Sequence, residues 1–166
     1  MREIPLPDRP ERRPESSHED FQGSRLTSLV YIMRGRSPFS RLGVLDLRAG
    51  SLSLRDAKGG QLFAVPAETA AARPARRKFY ETKRPGFEVQ ANDRWWFLVA
   101  YAIPTRYQRR STRELIERSH ARELAPQPAG MSADTYRRLT SSPSKHQALW
   151  CGYWLGVLRR ATNPEI

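Results

Sequence analysis

The sequence of 166 residues contains very little cysteine and no long apolar run. Cys151 is the only cysteine, which excludes an intrachain disulfide and a thiolate-rich metal site and favours a reducing compartment. The longest apolar run covers residues 95–103, far short of the roughly 20 residues that a membrane-spanning helix needs. The first residues also lack the apolar stretch of a secretory signal. We therefore expect a cytoplasmic protein.

The sequence also lacks recognisable catalytic and cofactor-binding motifs. Its three histidines, His18, His120 and His146, have no carboxylates or cysteines at metal-ligand spacing around them and are expected at the surface. There is no Walker loop, dinucleotide fingerprint, nucleophile elbow or zinc-protease helix. Cys151 is expected to be a buried apolar residue. These absences favour a protein that is not an enzyme and holds neither a metal nor a cofactor.

Positive charge is present in excess. The chain has 29 Lys and Arg residues against 17 Asp and Glu residues, a net charge of +12. Residues 1–22 hold four Arg and six acidic residues, so residues 23–166 carry a net charge of +14. Such a surplus attracts anionic lipid surfaces, nucleic acid or acidic proteins through a field that does not depend on sequence.

Composition divides the chain into a tail and one domain. Residues 1–22 interleave four prolines with charges of both signs, which is typical of a disordered tail rich in Pro, Arg and Glu. Residues 23–166 are expected to form a single domain. Within it we expect residues 104–143 to be an insertion of loops and short helices with little packing, and residues 144–162 to form a capping helix.

Seven short segments have the composition of β-strands, and several alternate apolar and polar residues as half-buried strands do. Turn residues separate them, notably Ala49-Gly50 and Ala91-Asn92-Asp93. The small-residue segment 67–72 is expected to be a connection. Short strands in this order predict a meander that forms a sandwich or a small barrel. The seven segments are 27–33, 44–48, 52–55, 61–65, 77–81, 87–90 and 94–102.

Residues 104–143 contain two predicted helices. Ser111 and Glu114 have the spacing of a capping box and predict a polar helix that runs to about Glu123. Ser132 is expected to cap a second short helix that ends near Leu139.

The last predicted helix follows Ser144, its expected N-cap, and runs from Lys145 to Ala161. Apolar residues recur along it at three- and four-residue spacing, which gives one face to bury. A stripe of small residues lies beside that face and would allow close approach of a neighbouring surface. The stripe consists of Ala148, Gly152 and Gly156.

Three glycine-led segments, Gly43-Val-Leu-Asp-Leu47, Gly50-Ser-Leu-Ser-Leu-Arg-Asp56 and Gly60-Gln-Leu-Phe-Ala-Val-Pro66, resemble the opening hairpins of pleckstrin-homology-like and GRAM-like domains. The chain is similar in this respect to uncharacterised actinobacterial proteins of that type, as is its helix segment 152–158. The resemblance covers residues 42–102 and 145–160. It implies a mainly β fold, a seven-stranded, partly open barrel capped by a C-terminal amphipathic helix. Residues 104–143 depart from the family pattern.

The strongest functional signal is a group of six positive side chains within the twelve positions from Arg73 to Arg84, opposed only by Glu81. We call it the first basic cluster. In pleckstrin-homology domains the anion-binding residues usually lie on the first hairpin, where this chain has Arg48, Arg55 and Lys58, so we do not transfer a phosphoinositide site. A solvated basic loop without a ligand is an equally good interpretation. The first basic cluster is expected to bind an anion, a lipid or a protein partner; it consists of Arg73, Arg76, Arg77, Lys78, Lys83 and Arg84.

A second group of arginines lies in residues 106–113 and surrounds Tyr107. Arg118 and Arg122 continue this second basic cluster along the chain. Basic residues beside an aromatic platform are typical of single-stranded nucleic acid binders. Pairing of Glu114 and Glu117 with helix arginines would explain part of the pattern by ordinary helix stabilisation. The second basic cluster consists of Arg106, Arg109, Arg110 and Arg113.

The sequence thus predicts a non-enzymatic, pleckstrin-homology-like binding or adaptor module, cytoplasmic and peripheral at the inner face of the membrane. Its basic surface is expected to contact anionic membrane lipid or an acidic protein partner. The alternatives are a nucleic-acid-binding protein and a structural subunit of a complex. Trp95 and Trp96 should face opposite ways in a strand, so that one lies in the core and the other is exposed or covered by the insertion.

Overall fold

The computed structural model describes residues 25–33, 40–75 and 86–164. This part of the chain contains seven β-strands and three α-helices, together with two short 3-10 helices. The strands are β1 (Leu26–Met33), β2 (Ser40–Arg48), β3 (Ser51–Asp56), β4 (Gln61–Pro66), β5 (Ala71–Pro74), β6 (Phe87–Ala91) and β7 (Arg94–Ala100); the helices are α1 (Arg110–Ser119), α2 (Ala133–Ser141) and α3 (Pro143–Thr162).

The seven strands form one antiparallel sheet that does not close, in the order β4-β3-β2-β1-β7-β6-β5. Tight turns produce this meander. Ala49 and Gly50 have φ of 49° and 75°, and Asn92 and Asp93 have φ of 52° and 62°. Two successive residues with positive φ give a turn whose twist matches that of the flanking strands. The predicted mainly β fold with a C-terminal helix is confirmed.

One strand of the sheet was not expected from the sequence. The fifth strand is Ala71–Pro74, which begins within the small-residue segment 67–72 that was expected to be a connection. Small side chains are needed there because α3 passes close by, and the Thr162 hydroxyl donates to the Ala70 carbonyl at 3.2 Å. The expected strand at 77–81 lies outside the described residues.

The main core lies between the inner face of the sheet and α3. Trp150 and Trp154 are fully buried there among aliphatic and aromatic side chains of the strands. The indole Nε1 of Trp154 donates to Ser28 Oγ on β1 at 2.8 Å. This bond ties α3 to β1 across the core, whereas the buried indole N–H groups of Trp96 and Trp150 have no hydrogen-bond partner among the described residues.

A smaller core lies on the outer face of the sheet. Leu29 and Val44 pack there against Leu115 and Ala121 from the segment that follows Pro104. Strand β7 pairs with β1 only from Val30 onwards, which leaves the first half of β1 open on that side. The Arg122 N–H fills part of this gap by donating to the Thr27 carbonyl at 2.7 Å. The segment is therefore better packed than its thin apolar pattern indicated.

Helix α1 differs from its prediction at both ends. Its N-cap is Arg109, and Ser111 lies inside the first turn, so the predicted capping box is wrong. The Glu114 carboxylate instead accepts from Arg110 Nε at 3.0 Å, one turn away. The helix ends at Ser119 rather than near Glu123, because His120 adopts a left-handed conformation with φ of 55°.

The other two helices begin near the expected residues. Ser132 caps α2 as predicted, and its Oγ accepts from the Thr135 N–H at 3.2 Å. For α3 the N-cap is Ser142 rather than Ser144, since Pro143 occupies the first helical position, where its fixed φ fits and its missing N–H costs nothing.

The small-residue stripe of α3 does not face the sheet. Ala148 and Gly152 are exposed, and a Cβ built on Gly152 would meet no atom within 4 Å in the described part of the chain. The close approach expected from this stripe is therefore not made within the described structure.

A double-mutant cycle tests the bond between α3 and β1. Trp154→Phe should lower the free energy of unfolding by about 1–3 kcal/mol or more, because it leaves the buried Ser28 hydroxyl without its donor. Ser28→Ala should also destabilise, and the double variant should cost less than the sum. Urea denaturation measures all three, with Trp95→Phe at the exposed tryptophan as the control. Strictly additive costs would show that the two groups are not coupled.

Candidate functional site

Only one member of the first basic cluster, Arg73, lies within the described residues. Its Nε donates to Glu88 Oε2 at 2.7 Å, and its guanidinium carbon stands 3.6 Å from the centre of the Trp95 ring. The register pairs Arg73 with Glu88 across β5 and β6, a partner that sequence proximity does not reveal. Arg73 is thus held by contacts within the chain; Arg76, Arg77, Lys78, Lys83 and Arg84 lie outside the described residues.

The adjacent tryptophans face opposite sides of β7, as predicted. Trp96 is 8% exposed and packs against Phe63 in the main core. Trp95 is 37% exposed, and it is Arg73 of β5 that stacks on it.

The second basic cluster lies entirely within the described residues, and all four of its arginines are exposed. Arg106 stacks on Tyr107 at 4.8 Å from the ring centre, and the Tyr107 side chain is itself 67% exposed. Arg110 pairs with Glu114, but both side chains are largely exposed, so the pair is weak. Within the described structure Arg109 and Arg113 form no ion pair. These guanidinium groups are available to an anionic partner.

Hydrogen bonds to one carboxylate hold the two ends of this region together. Glu123 Oε1 accepts from Thr105 Oγ1 at 3.0 Å and from Gln108 Nε2 at 3.1 Å. Gln108 is buried and also donates to the Ile103 carbonyl at 2.9 Å. Leu124, which is 51% exposed, follows this carboxylate directly. Through these bonds the chain on either side of Tyr107 is tied to the residue that precedes Leu124. We call the surface of residues 105–113 and 122–124 the arginine face.

A second set of hydrogen bonds joins Ala125, a buried residue of the loop after α1, to the helices α2 and α3. Its N–H donates to His146 Nε2 on α3 at 3.0 Å, and its carbonyl accepts from the Tyr136 hydroxyl on α2. His146 is almost fully buried, so the expectation of a surface histidine is wrong there. His120 is exposed as expected, and His18 lies outside the described residues.

Three further arginines, which the sequence did not connect, surround a pocket of about 220 Å³. Arg25 lies immediately before β1, Arg55 lies on β3 and Arg118 lies at the end of α1. Val44 and Leu115 supply apolar lining, and the β3–β4 turn forms part of the rim. We call this feature the arginine pocket.

Each of these three arginines contacts different polar groups of the protein. Arg25 Nε donates to Thr27 Oγ1 at 3.1 Å and to Asp46 Oδ1 at 3.4 Å. Arg118 Nη2 donates to the Ala57 carbonyl at 3.0 Å rather than pairing with a glutamate of its own helix. Arg55 Nη2 stands 3.8 Å from Asp46 Oδ2, too far for a hydrogen bond.

Burial shifts the pKa of three groups. It raises the pKa of the Cys151 thiol to about 11, which keeps the thiol protonated and inert. It also raises the pKa of Tyr101, an effect that a hydrogen bond with Thr112 partly offsets. Burial lowers the pKa of His146, and the neutral ring is the form that can accept the Ala125 N–H.

Two features are absent from the described ranges. No cluster of three or more His, Cys, Asp or Glu residues in them has the geometry to hold a metal ion. None of their helices combines the length and apolar character needed to cross a membrane.

No protein-family model matches the chain, and no curated protein is significantly similar to it in sequence. The arginine face and the arginine pocket are therefore the features from which we infer function.

The His146 contact makes the stability of the fold depend on pH. Because the pKa of folded His146 lies below its ordinary value of 6.5, the unfolded chain takes up this proton first as the pH falls. The free energy of unfolding should therefore decline as the pH drops below 6.5. Urea denaturation at several pH values, with His146→Gln as the comparison, measures the effect. If the two proteins lose stability in parallel between pH 6.5 and 5, His146 is not the group responsible.

Proposed function

We propose that this protein is a pleckstrin-homology-like binding module that docks on anionic phospholipid through its arginine face. The proposed family membership is supported by seven antiparallel strands in a meander and a C-terminal helix on the sheet. The single observation that carries the docking proposal is the arginine face, where exposed arginines surround an exposed tyrosine.

The charge of the described residues supports an anionic partner. They include 18 Lys and Arg residues and nine Asp and Glu residues, which leaves a net charge of +9. Two of these acids, Asp46 and Glu88, are buried and paired with arginines, so they project little negative charge into solvent. Each basic residue near an anionic membrane contributes about 1 kcal/mol to binding.

The apolar side chains of the arginine face suit the membrane interface. Tyr107 carries an apolar ring with a polar hydroxyl, the combination that favours the headgroup region of a bilayer. Leu124 adds an aliphatic side chain on the other side of Glu123. Arg106, which stacks on Tyr107, and the neighbouring exposed arginines would meet lipid phosphates while the apolar groups enter the interface.

The proposed role is binding rather than catalysis. Guanidinium groups stay protonated at all physiological pH values, so they bind anions but do not exchange protons. The thiol of Cys151 is held protonated inside the core. The chemistry that the arginine face and the arginine pocket support is recognition of negative charge, in a protein located at the cytoplasmic side of a membrane.

One observation favours a second candidate function. Arg106 stacked on exposed Tyr107 is the kind of platform on which single-stranded nucleic acids stack their bases. Nucleic acid binding would show a steep decline with salt and a strong dependence on Tyr107.

Vesicle co-sedimentation tests the proposal. The protein should bind vesicles of phosphatidylcholine with phosphatidylserine and not vesicles of phosphatidylcholine alone. The double variant Arg109→Gln, Arg113→Gln should bind about thirtyfold more weakly, since two contacts of about 1 kcal/mol each are lost. The matched control is Arg159→Gln, Arg160→Gln at the end of α3, which makes the same change of charge at exposed residues elsewhere.

Three results would contradict the proposal. Equal binding to both kinds of vesicle would exclude electrostatic docking, and an equal loss in the control would show that net charge alone matters. Tighter binding to a single-stranded oligonucleotide than to anionic vesicles at the same salt, abolished by Tyr107→Ala, would establish the second candidate instead.

A further inference from the structure

We infer that the arginine pocket is a binding site for a phosphate monoester group. This inference rests on the proposed function in taking an anionic lipid as one source of the ligand, but it concerns a different set of arginines. The inferred ligand is one particular chemical group, whereas general attraction to an anionic surface requires only negative charge.

Three separate parts of the chain bring the arginines together. Arg25 precedes β1, Arg55 lies on β3 and Arg118 lies in the last turn of α1. The pocket therefore exists only because α1 covers the outer face of the sheet. Since α1 belongs to the segment 104–143, the resemblance to pleckstrin-homology-like domains supplies no counterpart for Arg118.

The internal contacts use only part of each guanidinium. An arginine has five N–H donors in a fixed fork. Arg118 uses Nη2 to reach Ala57, and this one bond fixes the side chain over the pocket. Arg25 is held through Nε by Thr27 and Asp46 and through Nη2 by the Ser119 carbonyl at 3.3 Å, and the side chains of Arg25 and Arg55 remain 40% and 47% exposed. The arginines are thus positioned in advance but keep donors for a ligand.

The charges around the pocket do not balance. Asp46 is buried and already accepts from Thr27 and Arg25, so it contributes only one negative charge against three guanidinium groups. Asp56, which also lines the pocket, adds a second negative charge, and its Oδ1 accepts from the N–H groups of Lys58 and Gly60 at 3.0 and 2.8 Å. Three guanidinium groups therefore face two carboxylates. If the arrangement served only to neutralise Asp46, Arg25 alone would suffice. An added anion relieves the repulsion among the three arginines.

Charge and size point to a phosphate monoester. A monoester carries a charge of about −1.5 to −2 near neutral pH and presents three acceptor oxygens. A diester carries a single charge and offers fewer oxygens to bidentate arginine contacts. The pocket has a volume of about 220 Å³. That space accommodates a phosphate and part of the group that bears it, while Val44 and Leu115 offer apolar contact to that group.

Such a group has two sources, a soluble phosphate metabolite or the headgroup of a monoester lipid such as phosphatidic acid. Isothermal titration of the full chain with glycerol 3-phosphate and with dimethyl phosphate tests the chemistry directly. The monoester should bind at least about tenfold more tightly than the diester, because each charge-assisted hydrogen bond contributes about a factor of ten. Equal binding of the two, or no binding of glycerol 3-phosphate, would overturn the inference.

Variants locate the site. Arg118→Gln and Arg55→Gln should each weaken binding of glycerol 3-phosphate by about tenfold. Arg118→Lys should fall between Arg118→Gln and the unmodified protein, since it keeps the charge but loses the fork. The control is Arg48→Gln, an exposed arginine at the far end of the β2–β3 hairpin, which should bind normally. An equal loss in the control would show that the pocket is not the site.

Vesicles with matched surface charge separate this inference from the proposed function. If the lipid is the source, vesicles containing phosphatidic acid should bind more tightly than vesicles containing phosphatidylglycerol, and Arg118→Gln should remove only that difference. Binding of glycerol 3-phosphate with no preference between the vesicles identifies a soluble ligand. If anionic vesicles bind but neither glycerol 3-phosphate nor Arg118→Gln has an effect, the inference fails and the proposed function stands.

Discussion

The central strand β1 is the constraint on which both layers of the molecule depend. Its inner side chains meet α3, where the Ser28 hydroxyl accepts the Trp154 indole N–H. Its outer side chains meet the layer that contains α1, and the Thr27 carbonyl accepts the Arg122 N–H. Because β1 also pairs with β2 and β7, it joins the two halves of the sheet. A shift in its register would move α3 and the arginine face together.

The arginine face is carried by a short polar helix that could not be stable alone. It is ordered by bonds at its margins, at Arg122, at Glu123 and at Ala125. These bonds leave its exposed side available, since most of them are made by backbone groups or by residues that face the protein. Few of the exposed guanidinium groups therefore take part in contacts that stabilise the fold. The others form an array that faces the solvent.

The periodic features of the sequence predicted the structure well. Alternation located most of the strands, paired turn residues located the hairpins, and Ser132 located the start of α2. Local rules failed where a distant contact decides the outcome. Ala71 and Ala72 of β5 form a strand beside α3, and Glu114 pairs with Arg110 instead of completing a capping box.

The candidate site was only partly predictable. The second basic cluster is contiguous in sequence and was therefore visible. The arginine pocket joins Arg25, Arg55 and Arg118, which are far apart in the chain and come together only when α1 packs on the outer face of the sheet. The burial of His146 likewise depends on a loop whose position no local pattern specifies.

The central claim is that the arginine face is the surface that meets an anionic membrane. Its most direct test is paramagnetic broadening of backbone amide resonances by spin-labelled lipid in anionic vesicles. The account predicts that residues 105–113 and 122–124 broaden first, while the outward stripe of Ala148 and Gly152 on α3 is unaffected. Broadening centred on α3, or none at any described residue, would contradict it.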